Sequence, residues 1–140
     1  MSIRLIIRCC IPLLILIIGS YTANTQLVIN EVCSSNDESY IDNNGDSPDW
    51  IELHNNTDTA IPLDGYYISD NLDYSYKWRM PNVIIGAGEF LIIIADGQDN
   101  ADELRTSFKL AKLGEEVTLK SPDKELVDHM IIPQLKSDIS

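Results

Sequence analysis

The stretch Asp49-Trp50-Ile51-Glu52-Leu53-His54 has a side-chain pattern with a period of two. In an extended chain successive side chains point to opposite sides, so Ile51 and Leu53 share one face. The tryptophan, the glutamate and the histidine share the other face. The run Asn55-Asn56-Thr57-Asp58 then ends the pattern with turn residues. This stretch therefore predicts a β-strand that buries one face in a core.

Segments of the same kind recur on both sides of this strand. Runs rich in β-branched and aromatic residues are separated by clusters of Gly, Pro, Asn and Asp, at a spacing of roughly 8–12 residues. No segment keeps a helical period over the length that a helix usually needs. The pattern predicts an all-β fold of about seven to nine short strands, a sandwich or a barrel. The predicted strand segments are 27–32, 49–54, 66–68, 76–80, 83–85, 90–95, 108–110, 116–120 and 126–130, of which the last two form a hairpin.

Four large aromatic residues are the natural filling of such a core. Each of them buries on the order of 150–250 Å² when it is enclosed. We therefore predict that Trp50, Tyr66, Trp78 and Phe90 pack between the sheets, rather than stacking on a ligand at the surface.

Residues 1–23 have the three-part pattern of a secretory signal peptide. Arg4 and Arg8 supply the positive start, residues 9–18 supply the apolar run, and a small or polar exit follows. The apolar run is shorter than the roughly 20 residues that a spanning helix needs. We predict a cleaved signal peptide and a mature domain over residues 24–140, secreted or held at the cell surface. The alternative is an uncleaved N-terminal anchor, which would be the chain's only contact with a membrane.

The mature chain is strongly acidic. The full sequence carries a net charge of −12, and removal of Arg4 and Arg8 leaves eight Lys and Arg against 22 Asp and Glu, a net charge of −14. Such a surface is repelled by phosphate backbones and by anionic lipids. Nucleic acid is therefore an unlikely partner, and a protein or another cell-surface ligand is favoured.

Only one cysteine, Cys33, lies outside the predicted signal peptide. An intrachain disulfide is then impossible in the mature domain, so a packed core must stabilise it. A lone cysteine within an apolar strand is more often a small buried hydrophobe than a cross-linking site.

The sequence offers little catalytic chemistry. His54 and His129 are the only histidines, and their spacing fits no metal-binding pair. No serine lies in a nucleophile elbow, and Gly86-Ala87-Gly88 lacks the third glycine and the helix of a dinucleotide-binding loop. We predict that the chain is not an enzyme and that it has no catalytic residues and no bound cofactor, with calcium as the one candidate.

The candidate calcium site is the loop around Asp42, Asn44 and Asp46. Oxygen-bearing side chains alternate there around Gly45, and a hard cation prefers several oxygen ligands on a tightly turned chain. The loop lacks the full spacing of the helix–loop–helix type. The alternative is a turn in which these side chains bind their own backbone.

Six stretches in order make the chain resemble the lamin-tail domain. They are INEV at 29–32, DSPDWIELHN at 46–55, LDGYYISD at 63–70, KWRMP at 77–81, IGAGEFL at 85–91 and FKLAKLGEEV at 108–117. The resemblance covers nearly all of the mature chain and is closest in style to bacterial secreted members. It implies an immunoglobulin-like sandwich, and in a bacterial protein the sequon Asn55-Asn56-Thr57 would be a chance occurrence.

The resemblance also implies a function. Such domains accompany hydrolases and other proteins as accessory modules, so we expect a non-catalytic module for protein interaction, adhesion or surface tethering. Bacterial members usually continue beyond the last strand, and residues 134–140 are similar to the beginning of that continuation. The alternative is therefore an N-terminal accessory domain of a larger secreted hydrolase or similar enzyme, of which this chain is a fragment.

Overall fold

A computed structural model describes residues 26–36, 40–111 and 115–132. Within these residues nine β-strands and one short 3-10 turn occur, which confirms the predicted all-β fold. The strands are β1 (Leu27–Cys33), β2 (Trp50–Asn55), β3 (Ile61–Pro62), β4 (Tyr67–Ser69), β5 (Trp78–Arg79), β6 (Ile84–Ile85), β7 (Phe90–Ile94), β8 (Glu116–Lys120) and β9 (Leu126–Ile131); the 3-10 turn covers Ala101–Glu103.

The strands form two main sheets and a small ladder, all antiparallel. One main sheet has the order β1-β2-β7, and the other has the order β5-β4-β8-β9. The ladder pairs β3 with β6. The predicted hairpin is confirmed, because β8 pairs directly with β9.

The core lies between the two main sheets and is built by alternation along their central strands. In β2, Ile51 and Leu53 are completely buried, and β8 contributes Val117 and Leu119 in the same way. Large branched side chains therefore meet from both inner faces, which is the arrangement of a β-sandwich. The predicted inward face of β2 is confirmed.

The four aromatic residues expected in the core divide into three groups. Trp78 lies in the core with 3% of its surface exposed, and Tyr66 is partly buried against it. Trp50 is buried but lies on the outer side of β2, the face opposite Ile51. The expectation for Phe90 is wrong, because 55% of its surface is exposed.

The position of Phe90 follows from the register of β7. Phe90 pairs with His54 of β2 and so shares its outward direction. The two rings stack with their centroids 4.1 Å apart and their planes 8° from parallel. The inward places on β7 go to Leu91 and Ile93.

Two predicted strand segments, 76–80 and 108–110, differ most from the structure. Only Trp78–Arg79 of segment 76–80 is extended, because the preceding residues form a turn. Segment 108–110 forms no strand and contributes a single bridge between Lys109 and Asp96. Its Phe108 and Leu110 still enter the core, so the apolar signal came from burial rather than from strand pairing.

Asp128 joins the two sheets along one side of the sandwich. Its Oδ2 accepts a hydrogen bond from the backbone N–H of Ile29 in β1, at 2.8 Å. Its Oδ1 accepts one from the backbone N–H of the following residue, His129, also at 2.8 Å. The irregular register of β1 between Ile29 and Glu31 lies at the same place. One carboxylate therefore holds donors from both sheets.

The predicted signal peptide, residues 1–23, and the segment 134–140 lie outside the described residues. In the part of the chain that the structure describes, no helix has the length and apolar character needed to cross a membrane.

Candidate functional site

The loop before β2 is a tight turn organised by Asp42. Oδ1 of Asp42 accepts hydrogen bonds from the backbone N–H groups of Asn44 and Asp46, both at 2.9 Å. The backbone N–H of Gly45 donates to the Asp42 carbonyl, and glycine permits the positive φ of +86° found there. Asn44 and Asp46 are exposed, whereas the side chain of Asp42 is 2% exposed.

The second oxygen of Asp42 belongs to a buried ion-pair network. Oδ2 accepts from Nη2 of Arg105 at 2.5 Å. The same guanidinium donates from Nε to Glu103 at 2.8 Å and from Nη1 to Asp96. The Arg105 side chain is only 4% exposed, and its acidic neighbours raise its pKa further above the usual range, with the hydrogen bond to Asp42 as the main cause.

Backbone hydrogen bonds hold Arg105 at this position. The N–H of Ile94 donates to the carbonyl of Leu104 at 2.9 Å, and the N–H of Thr106 donates to the carbonyl of Ile94 at 2.8 Å. The segment around Arg105 therefore runs beside the end of β7 and directs its side chain to the Asp42 loop. The network fastens two loops that are 63 positions apart in the sequence.

This geometry places the three predicted calcium ligands in one turn but gives Asp42 a structural role. The loop therefore has the structure of the predicted alternative, a turn in which the side chain of Asp42 binds the backbone of its own loop. Arg105 strengthens this turn by pairing with the second carboxylate oxygen. Within residues 26–36, 40–111 and 115–132, no group of three or more His, Cys, Asp or Glu side chains is arranged to hold a metal ion. Calcium at Asp42, Asn44 and Asp46 stays the alternative prediction, in which the cation would have to compete with the guanidinium.

We expect millimolar calcium to leave the melting temperature unchanged, because both carboxylate oxygens of Asp42 already have strong donors. A ligand present at 100 times its Kd would add about 2.7 kcal/mol to the free energy of unfolding, a rise of several degrees. Thermal unfolding with calcium and with a chelator distinguishes the two roles. A rise of that size that disappears in Asp46→Ala would establish the cation site instead.

The pKa of Asp42 is lowered, chiefly by the hydrogen bond from Arg105, against the opposing effect of burial. A group with a depressed pKa stabilises the fold fully above its unfolded pKa, and this contribution is lost as the pH falls through the folded pKa. We therefore expect wild type to be more stable than Asp42→Asn by a constant margin near neutral pH. The margin should shrink below about pH 4.

Urea unfolding of both proteins across the acid range measures this margin. The pKa of Glu115 is raised by burial and contributes in the opposite sense, but it is present in both proteins and cancels from the difference. A margin that stays the same down to the lowest pH would show that the Asp42 charge is not what stabilises the loop.

Another cluster lies on the outer face of the four-stranded sheet. The turn between β4 and β5 folds back there, since the hydroxyl of Ser69 donates to the carbonyl of Tyr74 at 2.7 Å. This turn brings Tyr76 against Tyr67, edge to face, with centroids 5.4 Å apart. Nζ of Lys120 lies 5.2 Å from the centre of the Tyr76 ring, and Nζ of Lys124 lies 5.1 Å from it.

The opposite end of this sheet carries an acidic pocket of about 280 Å³. Two of its carboxylates are already paired: Lys77 lies 2.5 Å from Asp70, and His129 lies 2.9 Å from Glu116. The pocket is lined by Asp70, Asn71, Asp73, Glu115, Glu116 and Ile131.

The sequence patterns did not identify the residues of the Arg105 ion-pair network or of the cluster around Tyr76. The only sign of Arg105 in the sequence is that it is one of two arginines after residue 23. The sequence pattern predicts a strand at Tyr76 and an ordinary hairpin around Lys120 and Lys124. Their convergence depends on the turn between β4 and β5, which has no periodic pattern.

The fold is therefore an antiparallel sandwich of the immunoglobulin-like class. The side chains that a ligand could reach lie on the outer faces of the sheets and on the loops. Comparison with protein families matches residues 20–132 to the Lamin Tail Domain. The chain belongs to this family, which confirms the resemblance. The family is immunoglobulin-like and non-catalytic, and its domains often mediate interactions. A search of curated proteins gives no match.

Proposed function

We propose that the chain is an exported, non-catalytic binding module of the bacterial secreted type, used for protein interaction, adhesion or tethering at the cell surface. The observation that carries the proposal is the set of large hydrophobic side chains exposed on a well-packed sandwich. Tyrosine is among the residues that protein interfaces use most often as anchors, and two of the exposed side chains are tyrosines. The exposed residues are Ile41, Leu72, Tyr74, Tyr76, Ile84, Phe90, Leu126 and Ile131.

The most buried ionisable groups have structural roles, which supports a scaffold function for them rather than a catalytic one. Arg105 is buried with three carboxylates around it, and Asp128 holds backbone donors of two strands. These groups fasten loops and sheets to one another. Ligand contact is then left to the outer faces, where Phe90 and Tyr76 lie in aromatic pairs.

Export is supported by the sequence pattern of residues 1–23. The test is expression of the full chain in a secreting host, followed by mass determination of the protein in the medium and in the membrane fraction. Protein in the medium that begins near residue 24 is the expected result. Full-length protein held in the membrane would replace secretion by anchoring, and protein confined to the cell interior would overturn the export proposal.

Binding is tested with the secreted protein and intact cells of its source, labelled fluorescently and measured by flow cytometry. We expect saturable binding that is lost when the cells are first treated with protease. Binding that survives protease would identify a non-protein ligand. No saturable binding to cells or to their shed surface proteins would contradict the proposed function.

A further inference from the structure

We propose that the cluster of Tyr67, Tyr76, Lys120, Lys124 and Leu126, called here the tyrosine–lysine patch, binds an acidic peptide segment of a partner protein. The inference rests on the proposed binding function and assigns it to a surface and to a partner chemistry. It is carried by the convergence of two lysines on one exposed aromatic ring, in a protein whose net charge is −12.

The two ammonium groups are available for an anion. Among the described residues, Lys77 and Arg79 each form an ion pair with an aspartate, and Arg105 pairs with three acids. Neither Lys120 nor Lys124 forms an ion pair with a described residue. Both instead lie near the Tyr76 ring, where a cation–π contact holds an ammonium group without neutralising it.

The sheet arranges the patch as a row. Tyr67 of β4 lies opposite Lys120 of β8, and Lys120 lies opposite Leu126 of β9. Arg79 of β5 pairs with Tyr67 on the other side. Because directly opposed residues of neighbouring strands point to the same face, cationic, aromatic and aliphatic groups lie side by side.

The backbone of Lys124 allows a substitution that removes its ammonium group without straining the turn. The turn between β8 and β9 leaves Lys124 with a φ of +68°, a left-handed conformation in which glycine or asparagine is normally found. This turn is closed by the hydrogen bond from the Lys124 N–H to the Ser121 carbonyl, at 2.9 Å. A lysine in this conformation carries a backbone strain that glycine would relieve, and its ammonium group lies over Tyr76.

The make-up of the patch favours a peptide over a polyanion. Leu126 is 56% exposed beside Lys120. A sulfated glycan or a phosphate backbone has no apolar group that could pack against this side chain, whereas a peptide does. A long polyanion would also extend past two lysines onto a strongly acidic surface. Since screening at physiological salt acts over about 8 Å, a short acidic segment with one apolar residue can pair locally and avoid that repulsion.

The test uses the secreted protein and a fluorescent, capped ten-residue peptide in which two glutamates flank one leucine among serines and glycines. Binding is followed by anisotropy at low and physiological ionic strength. We expect saturable binding that weakens with salt. Lys124→Gly should lower the affinity about threefold, and Lys120→Gln with Lys124→Gly about tenfold.

Two controls keep the loss of binding specific. Lys109→Gln removes the same charge outside the patch and should leave the affinity unchanged. Lys124→Gly should unfold at the same temperature as wild type or higher, because glycine adopts the positive φ without strain. Equal affinity of wild type and the double variant would overturn the assignment.

Other occupants would give different results. Tighter binding of heparin than of the peptide would replace the proposal by a sulfated-glycan site. Salt-sensitive self-association that the double variant loses would make the partner a second copy of this chain. If the double variant still binds cells as wild type does, the patch assignment fails and the binding function stands; if wild type binds no cells, the function itself fails.

Discussion

Replacement of Arg105 by methionine is expected to lower the free energy of unfolding by about 3 kcal/mol. The guanidinium is 4% exposed and donates to Asp42, Asp96 and Glu103. Methionine keeps much of the volume but leaves the carboxylate of Asp42 buried without its cation, and removal of one partner of a buried ion pair is strongly destabilising. In a domain of this size the melting temperature should fall by roughly 10 °C.

A double variant shows whether the unpaired charge is the cause. Arg105→Met combined with Asp42→Leu removes the most buried acid together with the cation, and an apolar replacement of a buried pair is often nearly neutral. We therefore expect the double variant to be more stable than Arg105→Met alone, as measured by urea unfolding. A double variant that is less stable than Arg105→Met would mean that the hydrogen bonds from Asn44 and Asp46 to Asp42 stabilise the fold by more than its unpaired charge destabilises it.

Replacement of Asn55 by leucine is expected to cost about 3 kcal/mol of stability. This residue is completely buried at the end of β2, and its Nδ2 donates to the carbonyls of Thr59 and Gly86, both at 2.8 Å. Its Oδ1 accepts from the N–H and the hydroxyl of Thr57, at 3.0 and 2.7 Å. Leucine matches the volume but makes none of these hydrogen bonds, and the N–H of Thr57 is left without its acceptor.

The neighbouring Asn56 provides a matched control, because it is exposed. Asn56→Leu should change the free energy of unfolding by less than about 0.5 kcal/mol. Chemical denaturation of the two variants compares them directly. Equal stability of Asn55→Leu and wild type would show that water takes over all of the hydrogen bonds.

The sequence predicted the parts of the fold that depend on periodicity. The alternation in segment 49–54 gave β2 and its buried face, and the two apolar runs around Ser121 gave the β8–β9 hairpin. Both depend on neighbours in the sequence and on the two-residue period of a strand. The arrangement of these strands as an immunoglobulin-like sandwich was predicted from the family resemblance and not from the periodicity.

The candidate sites depend on contacts that no local pattern records. Arg105 meets Asp42 across 63 positions, and the charge pattern alone does not show which of the many acids it pairs with. The size of Phe90 predicts a buried position, but the register of β7 against β2 turns its side chain outward. Size predicts burial on average, whereas register decides the individual residue.

The carboxylate of Asp128 has a consequence for how the protein behaves at high concentration. β9 is the last strand of its sheet, and an outermost strand offers free N–H groups on which another chain can add a strand. Asp128 takes the N–H of His129 and binds β9 to Ile29 of β1. We therefore expect its loss to promote fibre growth from β9 in concentrated solution, even where the sandwich itself stays folded.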